Sequence, residues 1–210
     1  MHEDALPTLD AGVTLLRGGD RTAVAALAAA EIERGDGLAR WVDARNHAST
    51  HVLTDVARTD RVLDRVRVAR AFTAHQHHAL VRQLVADARR PTSLVVAPAV
   101  DDLYRDDDLL ASEAETLREA TLSTLAALAD ARGVPVLVTA TDPGDVAAHA
   151  DHEVDVEPTR FGPRFDAGDE QTDAYWTRGG WQTTIPYWVD LVGRVADEYG
   201  ATAPEPEVVA

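Results

Sequence analysis

Residues 13–34 read VTLLRGGDRTAVAALAAAEIER, and this stretch decides the fold. A short apolar run, 13–16, has the length of a strand. The turn Arg17-Gly18-Gly19-Asp20-Arg21-Thr22 follows it, and 20–34 then places Val24, Leu27 and Ala28 on one helical face. Asp20 stands just before that helix, where a carboxylate accepts the free N–H groups of the first turn. A strand, a glycine turn and a helix form the opening unit of a layered α/β domain.

The alternation continues outward. Residues 38–42 read as a strand, and Val52, Leu53, Val56 and Ala57 mark the inner face of a second helix. A strand at 66–72 precedes a helix carrying Leu80, Val81, Leu84, Val85 and Ala88. After a strand at 93–97 comes the longest helix, 110–132, with the stripe Leu110, Ala114, Leu117, Thr121, Leu125 and Leu128. Gly133 sits where a helix C-terminal glycine belongs, and 134–139 is a strand needing cover on both faces. Repeated β-α order predicts a mostly parallel sheet with helices on its faces. Beyond residue 150 the pattern changes. Segments 152–157 and 164–166 suggest one hairpin, and 173–184, turning at Gly179-Gly180, suggests another. Residues 185–199 read as a terminal helix.

Length and charge narrow the function. A chain of 210 residues fits one sizeable core, and no linker divides it. Residues 1–200 are expected to be one domain and 201–210 a flexible acidic tail. Acids outnumber bases 36 to 20, for a net charge of −16, and every base is Arg. An acidic, Lys-free chain has the composition of a cytoplasmic protein from a salt-loving microbe, where carboxylates hold water and salt screens their repulsion. The charge argues against direct nucleic-acid binding, which needs a basic face. With no cysteine there is no thiolate nucleophile and no Cys-based metal site. No apolar run is long enough to span a membrane, and the acidic start, Met1 to Asp4, is not a secretory signal.

The turn after the first strand occupies the position of a phosphate-binding loop without its chemistry. A working loop reads G-x-x-x-x-G-K-[ST], with glycines exposing N–H groups, Lys reaching the outer phosphates and the hydroxyl holding Mg²⁺. Here Leu15 and Asp20 stand at the two glycines and Arg21 at the Lys; Thr22 alone is retained. The elements around it resemble archaeal RadA and its RecA-fold relatives over roughly residues 10–140. Residues 38–54 (LARWVDARNHASTHVLT) look like that family's second strand, and 62–81 (VLDRVRVARAFTAHQHHALV) is the closest stretch. Residues 93–105 (SLVVAPAVDDLYR) look like the Walker B strand running into a Tyr-Arg step.

The resemblance implies a RecA-like P-loop NTPase fold with a mostly parallel central sheet, β-hairpins and a terminal helix at the C-terminal end. Carried over residue by residue, it implies a lost ATPase. The Walker B aspartate falls on Pro98, the catalytic glutamate on Arg45 and the loop Lys on Arg21. What remains is a vestigial loop of Gly18, Gly19, Asp20, Arg21 and Thr22, with no cofactor and no metal expected. Asp20 is expected to occupy the anion site itself. The family's DNA-contacting loop falls on 141–151, which is short, acidic and without Arg, and its N-terminal DNA-binding domain has no counterpart before Asp10. The resemblance thus implies an accessory factor in recombination, repair or replication that binds another protein, such as a recombinase or a DNA polymerase. A regulator that holds nucleotide without hydrolysing it, and a division or signalling inhibitor of this fold, are the alternative readings.

Three further groups stand out. His75, His77 and His78 are read as structural, since no carboxylate lies beside them locally. Asp101, Asp102 and Asp106–Asp108 are read as a solvated run rather than a cation site. In 175–188 (YWTRGGWQTTIPYW), Tyr175, Trp176, Arg178, Trp181 and Tyr187 are core residues at strand spacing that also suit a partner surface.

Overall fold

A computed structural model describes residues 6–183, apart from 49, 58, 60, 88–90, 160–161, 169–170 and 178–179. Five strands form the parallel part: β1 (Gly12–Arg17), β2 (Leu38–Ala44), β3 (Val66–Ala71), β4 (Thr92–Ala97) and β5 (Pro135–Val138). The helices are α1 (Arg21–Arg34), α2 (Thr50–Val56), α3 (Arg61–Asp64), α4 (Ala74–Ala86), α5 (Ala111–Arg132) and the single turn α6 (Gly144–Ala147). A 3-10 turn spans Asp102–Arg105. Four more strands follow: β6 (His152–Thr159), β7 (Gly162–Asp166), β8 (Gln171–Thr177) and β9 (Gly180–Thr183). The order across the sheet is β3-β2-β4-β5-β1-β6-β7-β8-β9. β6 joins β1 in parallel, and β7 and β8 continue antiparallel from it. This is the α/β architecture with a mostly parallel sheet that the sequence led us to expect, and it is consistent with a RecA-like fold.

Side-chain alternation splits the core across the sheet. On one face Leu16, Ala39, Trp41, Leu94, Val96 and Leu137 pack under α1 and α2. On the other, Val13, Leu15, Val42, Val95, Val136 and Val138 meet Val81 of α4 and Leu122, Leu125 and Leu128 of α5. α1 departs from its expected single apolar face: Ala23 through Ala29 and Ile32 are all buried. Its alanines let it lie close against the sheet while α2 covers its outer side. Gly133 ends α5 in the left-handed conformation, φ 59°, where glycine carries no Cβ penalty.

Two expected core positions are corrected. Leu110 is 74% exposed because it caps α5 instead of opening its inner stripe, and Val85 is 46% exposed in the last turn of α4. Both expected hairpins form: β6 pairs with β7, and β8 with β9. β8 also pairs with β7, so the second hairpin extends the first. The expected terminal helix at 185–199, Ala88 and the tail at 201–210 lie outside the described residues.

Candidate functional site

β1 delivers its glycine turn to the C-terminal edge of the parallel strands, where α/β sheets carry their sites. Gly18 takes φ +73°, and a Cβ there would come within 2.7 Å of the Val156 carbonyl oxygen. Glycine is required on both counts. Asp20 is then the extended N-cap of α1, and its Oδ1 accepts from the Ala23 N–H at 2.9 Å. That N–H belongs to the first-turn set that holds an anion at a helix N-terminus. Arg21 is exposed and makes no ion pair among the described residues; Thr22 is half-buried.

The neighbouring strands bring the other two positions to the same edge. β2 runs into Arg45 and Asn46, both left-handed at φ 49° and 68°. Asn tolerates this region and Arg pays for it. Arg45 Nε lies 2.9 Å from Asp102, and the guanidinium also pairs with Asp106. The hydrogen bond to Asp106 raises the Arg45 pKa above its ordinary value. Arg45 is therefore a cation fixed between two carboxylates at the end of β2. β4 runs into Pro98 and a left-handed Ala99, φ 48°. Ala99 N donates to Thr139 Oγ1 at 2.8 Å. Neither Pro98 nor Ala99 offers a side-chain oxygen to a metal.

Asp101 corrects the reading of a solvated acidic run. It is fully buried, accepting from the N–H groups of Thr141 and Asp142 at 2.7 and 2.9 Å and from Arg105 Nε at 2.9 Å. Arg105 also reaches Asp145 at 2.9 Å, and Arg118 of α5 pairs with the same carboxylate. His149 lies 3.0 Å from Glu119, and Asp151 Oδ2 accepts from Val13 N at 2.8 Å. Segment 141–151 is thus tied to β1, α5 and the exit of β4. The sequence shows 141–151 as acidic; the arginines that neutralise it stand far away in the chain.

Gly19, Asp20, Arg21, Trp41, His47 and Pro98 are among the residues around a cavity of about 60 Å³ at this edge. Small-molecule pockets run to roughly 300–1,000 Å³. A carboxylate at the helix terminus, a proline after β4 and an arginine clasped by two carboxylates are residues that do not fit a nucleotide with Mg²⁺.

Buried His77 and half-buried His78 join a hydrogen-bonded chain through Tyr104 and Thr121, while His75 is exposed. Thr121 Oγ1 donates to the Leu117 carbonyl at 2.8 Å, so it accepts from Tyr104 OH at 2.8 Å and from His78 Nδ1 at 3.0 Å. Tyr104 then accepts from His77 Nδ1 at 2.9 Å. Burial lowers the His77 pKa to about 4, with a further push from His78, and raises Tyr104 to about 12. His75 gains a carboxylate the local sequence does not show, Glu113 of α5 at 3.4 Å. Among the described residues no group of three or more potential ligands could hold a metal. Trp176 and Trp181 are direct cross-strand partners in the β8–β9 ladder, and Tyr175 is opposite Gln182. Arg178 and Tyr187 lie outside the described residues.

The fold and the placement of the glycine turn define a protein of the RecA-like class. The family model for Rad51 matches residues 17–159, roughly two thirds of the chain, and the chain belongs to that family. Compared with curated proteins individually, it matches none. Among the described residues, no helix is long and apolar enough to cross a membrane.

Proposed function

We propose that this Rad51-family chain is a non-catalytic paralogue that serves DNA recombination, repair or replication by binding another protein, a recombinase or a DNA polymerase. The observation that carries this reading is that Asp20, Arg45 and Pro98, which the family resemblance sets at the phosphate loop, the base and the metal, lie at one edge of the sheet. Phosphoryl transfer works by positioning and charge compensation: Asp20 adds negative charge where phosphate would bind, Pro98 cannot hold a metal, and Arg45 cannot act as a base. The net charge of −16 and the ion-paired segment 141–151 favour a protein partner over the DNA backbone.

One observation favours a second reading, a regulator that holds nucleotide without hydrolysing it. Arg21 and Thr22 still open α1, and Arg21 has no ion-pair partner among the described residues. Titration of ATP with Mg²⁺ in molar salt, followed by thermal unfolding, separates the two. The partner-binding reading expects no stabilisation beyond that of an equal ionic strength. An ATP-dependent stabilisation that disappears in Thr22→Ala would favour the second reading.

A further inference from the structure

The two faces of the sheet differ at β6 and β7. On the α1 face, Val154, Val156 and Phe165 are buried in the core. The opposite face starts with Val13 and Leu15, buried beneath α5, and Arg17 is the next residue of β1 on that side. Across the ladders this face continues into Glu153, Asp155 and Glu157 of β6, all three exposed, and into Arg164 and Asp166 of β7. Arg17 pairs with Glu153 at 3.2 Å. Asp155 makes no ion pair among the described residues and stands directly opposite Asp166. Like charges in that position repel. A cavity of about 230 Å³ opens here, and Arg17, Asp155, Glu157, Arg164 and Asp166 are among its lining residues.

We infer that this open sheet face is the docking site for a basic segment of the partner protein, with one arginine or lysine side chain entering the cavity between Asp155 and Asp166. This rests on the partner-binding reading above and names the chemistry of that partner. The incoming cation offsets the repulsion between the two carboxylates. Successive carboxylates along β6 lie about 7 Å apart, which matches cationic residues spaced two apart on an extended segment. Two other occupants carry the wrong charge. Residues 184–210 of the chain itself hold Asp190, Asp197, Glu198, Glu205 and Glu207 against Arg194 alone. A second copy brings another net charge of −16, and like-charged molecules repel as they approach.

The experiment titrates the full chain, isotopically labelled, with a blocked peptide alternating Arg and Ala, and separately with its Glu–Ala counterpart. The salt is the lowest that keeps the protein folded. Only the basic peptide should shift the amide signals of Asp155 and Asp166. Asp155→Asn should weaken its binding by roughly fivefold, whereas Asp107→Asn, in the exposed acidic run after β4, should leave it unchanged. Asp155→Asn should also melt above the parent, because Asp166 then faces a neutral group. The basic peptide should raise the parent's melting temperature more than the variant's. Equal weakening by the two substitutions would reduce the attraction to net charge and overturn the inference. Shifts confined to another surface, or self-association through this face, would do the same. ATP turnover is read independently, so loss of the docking site leaves the non-catalytic reading standing, and the reverse also holds.

Discussion

Replacing Asp20 by glycine sets two effects against each other at the entrance to α1. The parent carboxylate makes one capping bond, to Ala23 N at 2.9 Å. Losing it costs up to about 1 kcal/mol, and less if glycine serves as a tolerable cap. The same change removes a negative charge from the helix N-terminus and frees a first-turn N–H beside Arg21, which favours an oxyanion there. Binding to the folded state stabilises it by RT ln(1 + [L]/Kd), about 1.4 kcal/mol at ten times Kd. Phosphate at that level therefore more than offsets the lost cap. Melting curves in chloride and in phosphate of matched ionic strength read both terms. Asp20→Gly should melt below the parent in chloride and recover as phosphate is added, while the parent follows ionic strength alone. Equal phosphate responses would refute the reasoning, because the turn would then not be an anion site closed by its own carboxylate.

Dilution should destabilise the fold as a whole. With a net charge of −16, salt below roughly 0.5 M lengthens the range of self-repulsion, so the melting temperature should fall; an unchanged value would contradict this. Acid should act through His77, whose pKa falls from 6.5 to about 4 on folding. Between those values the unfolded chain binds the proton and the folded chain does not, so stability is full above pH 6.5 and is lost as pH falls toward 4. The loss amounts to about 3 kcal/mol. Comparing denaturant unfolding of the parent and His77→Gln at pH 7 and pH 4.5 isolates this share, and the variant should lose less stability between the two.

The parallel strands and their helices were legible because each is a local pattern bounded by a local signal: Asp20 before α1, Gly133 after α5, β-branched runs between. The places of Asp20, Arg45 and Pro98 at one edge of the sheet were legible as well, since each comes within three residues of a strand's end. The contacts that fix them were not. Asp101 looks solvated among its acidic neighbours, yet its partners are backbone N–H groups some forty residues later. Arg45 reads as a lone cation until the turn after β4 brings Asp102 and Asp106 against it. His75 meets Glu113 only because α4 and α5 lie side by side. Leu110 and Val85 fit a helical stripe by spacing alone, and the ends of α5 and α4 carry them past the edge of the core.

Steady-state ATP turnover by the full chain, in molar salt with Mg²⁺, tests the central claim most directly. The joint presence of Asp20, Arg45 and Pro98 predicts a rate indistinguishable from background, unchanged in Thr22→Ala. A sustained turnover that Thr22→Ala abolishes would contradict it, because the retained hydroxyl would then be serving a working phosphate loop.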